Sequence, residues 1–216
     1  MKRLLSIIFF VSVFVGLHAQ RVEPFDTVYK FRFYNAYYCE DIQTSTFVVY
    51  KVYKPQNKAS RKGLDFKSYQ GLPHFNYSHT VYDKGHLKPA QDAAGSIEEM
   101  KETFWYINAV PQHYKLNRGT WKKIETQIHN LAQSDSLIVV CGGCDYSPQD
   151  SIVPQHCFKV VYSLSTLEPI VYYLFSNDSK ASYALEPLLL ELFPIDYLKT
   201  LYSLPADRSH LSSHSR

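Results

Sequence analysis

The chain has 216 residues, with 23 Lys and Arg against 20 Asp and Glu, 45% hydrophobic residues, 8 Gly and 11 Pro. That apolar share excludes a disordered chain, and the lack of a G-x-y period excludes a collagen-like one. The net charge of +3 falls to +1 without Lys2 and Arg3, so charge alone gives no sign of a nucleic-acid partner and any anion site must be local.

Residues 1–19 pair a basic start (Lys2, Arg3) with an apolar run over 4–17 that ends at His18-Ala19-Gln20. This is the layout of a cleaved signal peptide, and the run is shorter than the ~20 residues that span a bilayer. The expectation is an exported protein, periplasmic or extracellular, with no stable membrane insertion after cleavage. One domain over 20–205 follows. Within it, 46–53 (TFVVYKVY) is β-branched and aromatic and predicts a strand. Residues 55–75 are polar and broken by Gly63, Gly71 and Pro73, which predicts a loop-rich stretch. A short strand over 80–82 leads into Asp83-Lys84-Gly85-His86.

Ser96 followed by Glu99 is a capping-box pattern, so a helix starts there and runs to about 104. Trp121, Ile124, Ile128 and Leu131 recur at 3-4-3 spacing, predicting an amphipathic helix over 120–133. Residues 137–140 predict a buried strand that ends at Gly142-Gly143. Two more strands, 158–164 and 170–175, flank a hairpin turn. A helix is expected over 184–193 with Pro187 in its first turn, and the Ser/His-rich tail 206–216 is expected to be disordered. Strands and helices mixed without strict alternation point to an α+β fold.

Four cysteines, Cys39, Cys141, Cys144 and Cys157, make an even count that fits an oxidising compartment and two disulfides, with three pairings open. Cys141-Gly-Gly-Cys144 has redox-motif spacing but no thioredoxin-like βαβ context. It also lacks the second C-x-x-C of a zinc ribbon.

Candidate chemistry lies in three places. In Asp83-Lys84-Gly85-His86, a neutral imidazole can take a proton from water near pH 7 and Lys84 can stabilise a nearby phosphate charge. Asn108, Asn117 and Glu125 supply oxygen ligands suited to a hard cation such as Mg²⁺, which keeps most of its waters. If Asn117 starts a helix, Glu125 lies about two turns on, roughly 12 Å along the axis, and so holds a metal-bound water more easily than the metal. Lys115, Arg118, Lys122 and Lys123 form a basic run with no acidic residue among them. A zinc site from His74, His79 and His86 is disfavoured because their spacing matches no zinc motif.

The order Asp-Lys-Gly-His, Asn108-x-x-Pro-Gln, Leu116-Asn117-x-Gly-x-Trp, then Glu125, resembles the secreted, sugar-non-specific DNA/RNA endonucleases with a ββα-metal (His-Me finger) site, the family of endonuclease G. Val139-Val140-Cys141-Gly142-Gly143 and Val153-Pro154 through Lys159-Val160 extend the resemblance over about 46–193. It implies a central antiparallel sheet with flanking helices. The implied activity is metal-assisted phosphodiester hydrolysis of DNA and RNA without sequence preference, giving 5′-phosphate ends. His86 would be the general base and Asn117 the one direct protein ligand of Mg²⁺, for which Mn²⁺ could substitute. Glu125 would act through metal-bound water, Asn108 would support the site, and Asp83 would position the His loop. Lys115, Arg118, Lys122 and Lys123 would then contact the nucleic-acid backbone.

The chain departs from that pattern where Lys84 replaces the usual Arg, a point charge in place of a bidentate fork. His129 stands where several relatives carry a second Arg, and Arg61 is the candidate for an upstream one. The alternative to an active nuclease is a weakly active or inactive nucleic-acid-binding protein on the same fold, with Lys84 and His129 as the discriminating positions.

Overall fold

A computed structural model describes residues 22, 24–54, 58–147 and 152–202. The leader over 1–19 and the tail over 206–216 lie outside them. Nine strands and four α-helices are described: β1 (Thr27–Lys30), β2 (Tyr34–Cys39), β3 (Thr44–Val52), β4 (Tyr82–His86), α1 (Ile97–Glu102), β5 (Ala109–His113), α2 (Lys122–Leu131), β6 (Leu137–Tyr146), β7 (Pro154–Ser163), β8 (Pro169–Ser176), β9 (Tyr183–Leu185), α3 (Leu188–Leu192) and α4 (Ile195–Tyr202). Seven strands form one sheet in the order β1-β2-β3-β6-β7-β8-β9, and β4 and β5 pair separately. Every named strand pairing is antiparallel. The fold is α+β, as the mixed pattern predicts.

The sheet is covered on both faces, which is why its central strands read as apolar runs rather than alternating ones. Val48, Tyr50, Val139, Cys141, Cys157 and Val161 face one layer together with Leu87, Val110, Leu116, Trp121, Ile124 and Ile128 from the β4-β5-α2 segment. Phe47, Val49, Ile138, Val140, Phe158 and Val160 face the other, against Leu189, Phe193 and Leu198.

Three expectations shift. Strand β6 does not end at its glycines but runs through them to Tyr146. A Cβ on Gly142 would collide with the Thr46 carbonyl of β3, so the glycine admits a close strand approach instead of a turn. The helix expected over 184–193 begins only at Leu188, because Pro187 caps it and the residues before it pair with β8 as β9.

The disulfides are overturned: Cys39, Cys141, Cys144 and Cys157 are all buried free thiols. Three residues apart on one strand, Cys141 and Cys144 face opposite sides of the sheet, one in each core. Cys157 lies across from Gly143, while Cys141 lies across from Lys159. That diagonal leaves their Cβ atoms about 7 Å apart on typical sheet geometry, beyond the ~4 Å a disulfide needs. Among the described residues no helix is long and apolar enough to cross a membrane.

Candidate active site

Strands β4 and β5 form a short antiparallel hairpin arm whose register sets His86 opposite Ala109 and Asp83 opposite Gln112. Gly85 is required there by packing: a Cβ would overlap the side chain of Gln112. After β5 the chain makes one turn of π-helix, Leu116–Trp121, and continues directly into α2. A π-turn inside a helix is uncommon and recurs at functional sites. From Tyr82 to Leu131 the two paired strands, with α1 in the connection between them, lead into α2.

One open cleft of about 880 Å³ brings the predicted residues together: His86, Lys84, Asp83, Asn117, Arg118, Lys122 and Glu125 line it, and so does Arg61. His86 sits between aromatic rings, 4.6 Å from Phe66 and 4.9 Å from Phe104. Its buried Nε2 has no hydrogen-bond partner among the described residues. Desolvation, with the nearby Arg61 charge, lowers its pKa to about 3. The imidazole is therefore neutral at physiological pH with a lone pair or proton left unused.

Asp83 is the organiser of the opposite wall. It accepts from Asn117 Nδ2 at 2.9 Å and takes a two-pronged contact from Arg118, at 2.7 and 2.6 Å. Burial opposes its ionisation, but the hydrogen bonds from Arg118 and Asn117 hold its carboxyl below the usual range. Tying down the Asn117 amide nitrogen in this way leaves the Oδ1 acceptor unused. Arg118 is exposed, so its charge is shared with Asp83 before any phosphate arrives.

Asn108 does not line the cleft. It is fully buried and braces the backbone immediately after His86: Oδ1 accepts from Lys88 N at 2.9 Å, and Nδ2 donates to the carbonyls of Lys88 and Thr103, both at 2.9 Å. Its own carbonyl accepts from Leu87 N at 2.9 Å. The capping box at Ser96 is half formed. Ser96 Oγ accepts from Glu99 N at 3.0 Å, while the Glu99 carboxylate turns to the buried Lys88 ammonium at 2.9 Å.

Glu125 stands two helical turns from Asn117. Its Oε1 is buried without a hydrogen bond, and burial raises its pKa to about 7. The nearest cation is Lys159 Nζ at 3.7 Å, from β7. The sequence reading gave Lys159 no role; the available signal was a lysine within the apolar run of β7, on the same face as Cys157 and Val161.

Three predicted positions fall elsewhere. His129 is buried, pointing inward to Asp92 at 2.9 Å, so it does not stand in for a cleft arginine. Four residues past Glu125, His129 lies on the same side of α2, but deeper, where its ring meets Asp92. Lys115 and Lys123 are exposed but outside the cleft lining, unlike Lys122. Lys84 Nζ rests 5.3 Å from the Tyr106 ring centre and 5.6 Å from that of Phe66.

The donor set suits a hard cation. The amide oxygen of Asn117 and the carboxylate of Glu125, both from residues of the cleft wall, are oxygen donors. Among the described residues no cluster of three His, Cys, Asp or Glu side chains could hold a metal. Few protein ligands and mostly water is the habit of Mg²⁺.

A profile of the DNA/RNA non-specific endonucleases matches residues 22–199. The mitochondrial nuclease EXOG of Danio rerio is 28% identical over 127 residues, covering 48% of this chain and 37% of the relative. Human mitochondrial EXOG is 30% identical over 155 residues, 59% and 42% respectively. Human mitochondrial endonuclease G is 27% identical over 124 residues, 47% and 42%. The chain thus matches less than half the length of these relatives. The fold is that of endonuclease G in a crystal structure of its complex with the inhibitor EndoGI: TM-score 0.67, 20% identity, 79% of this chain and 84% of that one. These relatives overturn the export expected from residues 1–19, because they are mitochondrial nucleases. A basic, acid-free leader is common to export and organelle signals, and the free thiols remove the second support for an oxidising compartment.

Proposed function

The chain belongs to the DNA/RNA non-specific endonuclease family, and from that premise we propose that it is a metal-dependent phosphodiesterase that cuts DNA and RNA internally without sequence preference, leaving 5′-phosphate ends. The observation that carries this reading is His86: a neutral imidazole with an unpartnered Nε2, in the wall of the same cleft as Asn117 and Glu125.

His86 takes a proton from the water that attacks phosphorus. Burial, with the Arg61 charge, keeps the imidazole neutral, the form that can accept a proton. Asn117 Oδ1 would hold Mg²⁺ or Mn²⁺ directly, and Glu125 would support the cation through water. A cation bound there supplies charge neutralisation at the phosphate and at the leaving 3′ oxygen. Asp83 sets the direction of the Asn117 amide. Lys84, Lys122 and Arg61 supply the positive wall for the polynucleotide backbone, with Lys115 and Lys123 as more distant phosphate contacts. Such contacts are salt-sensitive and carry no sequence information.

The test is plasmid nicking and RNA degradation with Mg²⁺, with chelator, and with His86→Ala. The expected result is cation-dependent cleavage that falls about 10²–10⁴-fold in the variant, the usual share of a general base. Undiminished cleavage by His86→Ala would remove His86 from the mechanism. Binding of DNA without cleavage by the wild type would favour a nucleic-acid-binding protein, and Lys84→Arg would then show whether the missing fork is the cause.

A further inference from the structure

Lys159 is a residue of the large sheet that reaches the cleft machinery by charge, through Glu125. It lies in the middle of β7, opposite Cys141 on one side and Tyr173 on the other. Period-2 alternation puts it on the face of Cys157 and Val161, the core face under α2. Its side chain is 0% exposed and its Nζ has no hydrogen-bond partner. A buried ammonium is tolerated only against compensating groups. Here they are the face of the Trp121 indole, 4.1 Å from Nζ to the ring centre, and Glu125 Oε1 at 3.7 Å.

Glu125 and Trp121 are themselves one helical turn apart, so α2 delivers both to the same ammonium. The carboxylate is held by its inward oxygen, which is buried and makes no hydrogen bond, while the residue still forms part of the cleft wall. From its own helix the Glu125 carboxylate has the Trp121 indole as a further favourable neighbour, one turn back. The position of the cleft-facing oxygen also depends on a contact made from the strand below.

We propose that Lys159 is a positioning residue for the cleft: packed on Trp121, it anchors Glu125 by its inner oxygen so that the outer one is presented at a fixed place toward the cation site. This rests on the reading of Glu125 given above. Outer contacts of this kind orient groups around a metal, and losing one typically lowers metal affinity about 10–100-fold. The opposing effect is plain repulsion, since a lysine near a cation site disfavours the cation. At 3.7 Å from the carboxylate, with the carboxylate between it and the cleft, the lysine acts through Glu125 first.

The experiment measures Mn²⁺ binding to the full chain by calorimetry, without nucleic acid, alongside Mg²⁺-dependent plasmid cleavage. The variants are Lys159→Met, Lys159→Arg, Glu125→Gln and the double Lys159→Met/Glu125→Gln. Lys159→Met is expected to weaken Mn²⁺ binding about tenfold or more and to lower kcat with KM for DNA little changed. The double variant should match Glu125→Gln in both readouts, because Lys159 has no other route to the site; Lys159→Arg should recover part of the loss.

Should Lys159→Met fail to fold because it strands Glu125, the comparison of the double variant with Glu125→Gln still decides, as both charges are then absent. Additive losses in the double variant, unchanged Mn²⁺ affinity in Lys159→Met, or tighter binding there would each overturn the proposal. A wild type that binds Mn²⁺ but cuts nothing would overturn the nuclease reading instead, and leave the calorimetric comparison to judge Lys159.

Discussion

The seven-stranded sheet and the β4-β5-α2 segment differ in what their buried polar atoms are left unbonded for: in the second they cluster around the cleft. In the sheet, Thr44, Ser45 and Thr46 are buried yet each hydroxyl donates to a backbone carbonyl, at 2.8, 2.7 and 2.8 Å. In and beside the hairpin arm, His86 Nε2, Asp92 Oδ2, Trp121 Nε1 and Glu125 Oε1 are buried with no hydrogen bond. An unmade buried hydrogen bond costs about 1–3 kcal/mol, so a region that keeps several is stabilised from outside itself. The sheet does that work, through the shared core beneath α2. The sheet is not free of such atoms, since Tyr38 Oη, Tyr50 Oη and Lys159 Nζ are also buried with no hydrogen bond, and of these Lys159 lies directly under Glu125.

Three measurements would break or sharpen this contrast. Phe158→Ala empties a fully buried site in the core that faces α3 and α4. It should cost about 3–5 kcal/mol in denaturant unfolding, while cleavage per folded molecule stays near wild type. A matching collapse of activity in the fully folded variant would mean that the two faces of the sheet are not separable. Asn108→Ala removes three buried hydrogen bonds behind His86. A loss of about 2–3 kcal/mol is expected, together with slower turnover, because the same contacts hold the His86 backbone. Stability loss with unaltered turnover would show that the loop keeps its shape without them.

The smallest effect is in pH. His86 has its pKa lowered from 6.5 to about 3, so the unfolded chain takes up that proton first. Its contribution is complete above 6.5 and is lost as pH falls toward 3, by up to about 1.4 kcal/mol per unit. Glu125 is raised from 4.5 to about 7, so its contribution is complete below 4.5 and is lost as pH rises toward 7. Between pH 4.5 and 6.5 the two slopes oppose each other. Cation-free wild type should therefore show nearly flat stability there. Glu125→Gln should gain stability with rising pH, and His86→Ala should lose it. Parallel pH profiles for the two variants would mean that burial is not what sets these groups.

Much of the site was legible because its residues are close in sequence. Asp83 to His86 share a strand, Asn117 and Glu125 share a helix, and Ser96 caps its helix by a purely local bond. Local spacing determines such features through strand and helix periodicity, and the order of the motifs was enough to point to the family. The strand over 46–53 was legible for the same reason, since its β-branched run suits a sheet buried on both faces.

What spacing left open, tertiary contact decided. Whether Cys141 and Cys144 bond depends on the strand continuing through Gly142, and that depends on how near β3 approaches. His129 reads as a candidate cleft residue until the face of α2 is known, and packing turns it to Asp92. Asp83 meets Asn117 across 34 residues, and Lys159 meets Glu125 from a different sheet strand. From sequence alone, the family and the Ser96 helix cap were determined, and the candidate acid–base and oxygen-donor groups were named. The fold alone decided which of them are freed of water, which are bound to one another, and which lysine stands behind the glutamate, because burial and charge pairing are properties of contacts that the chain makes only when closed.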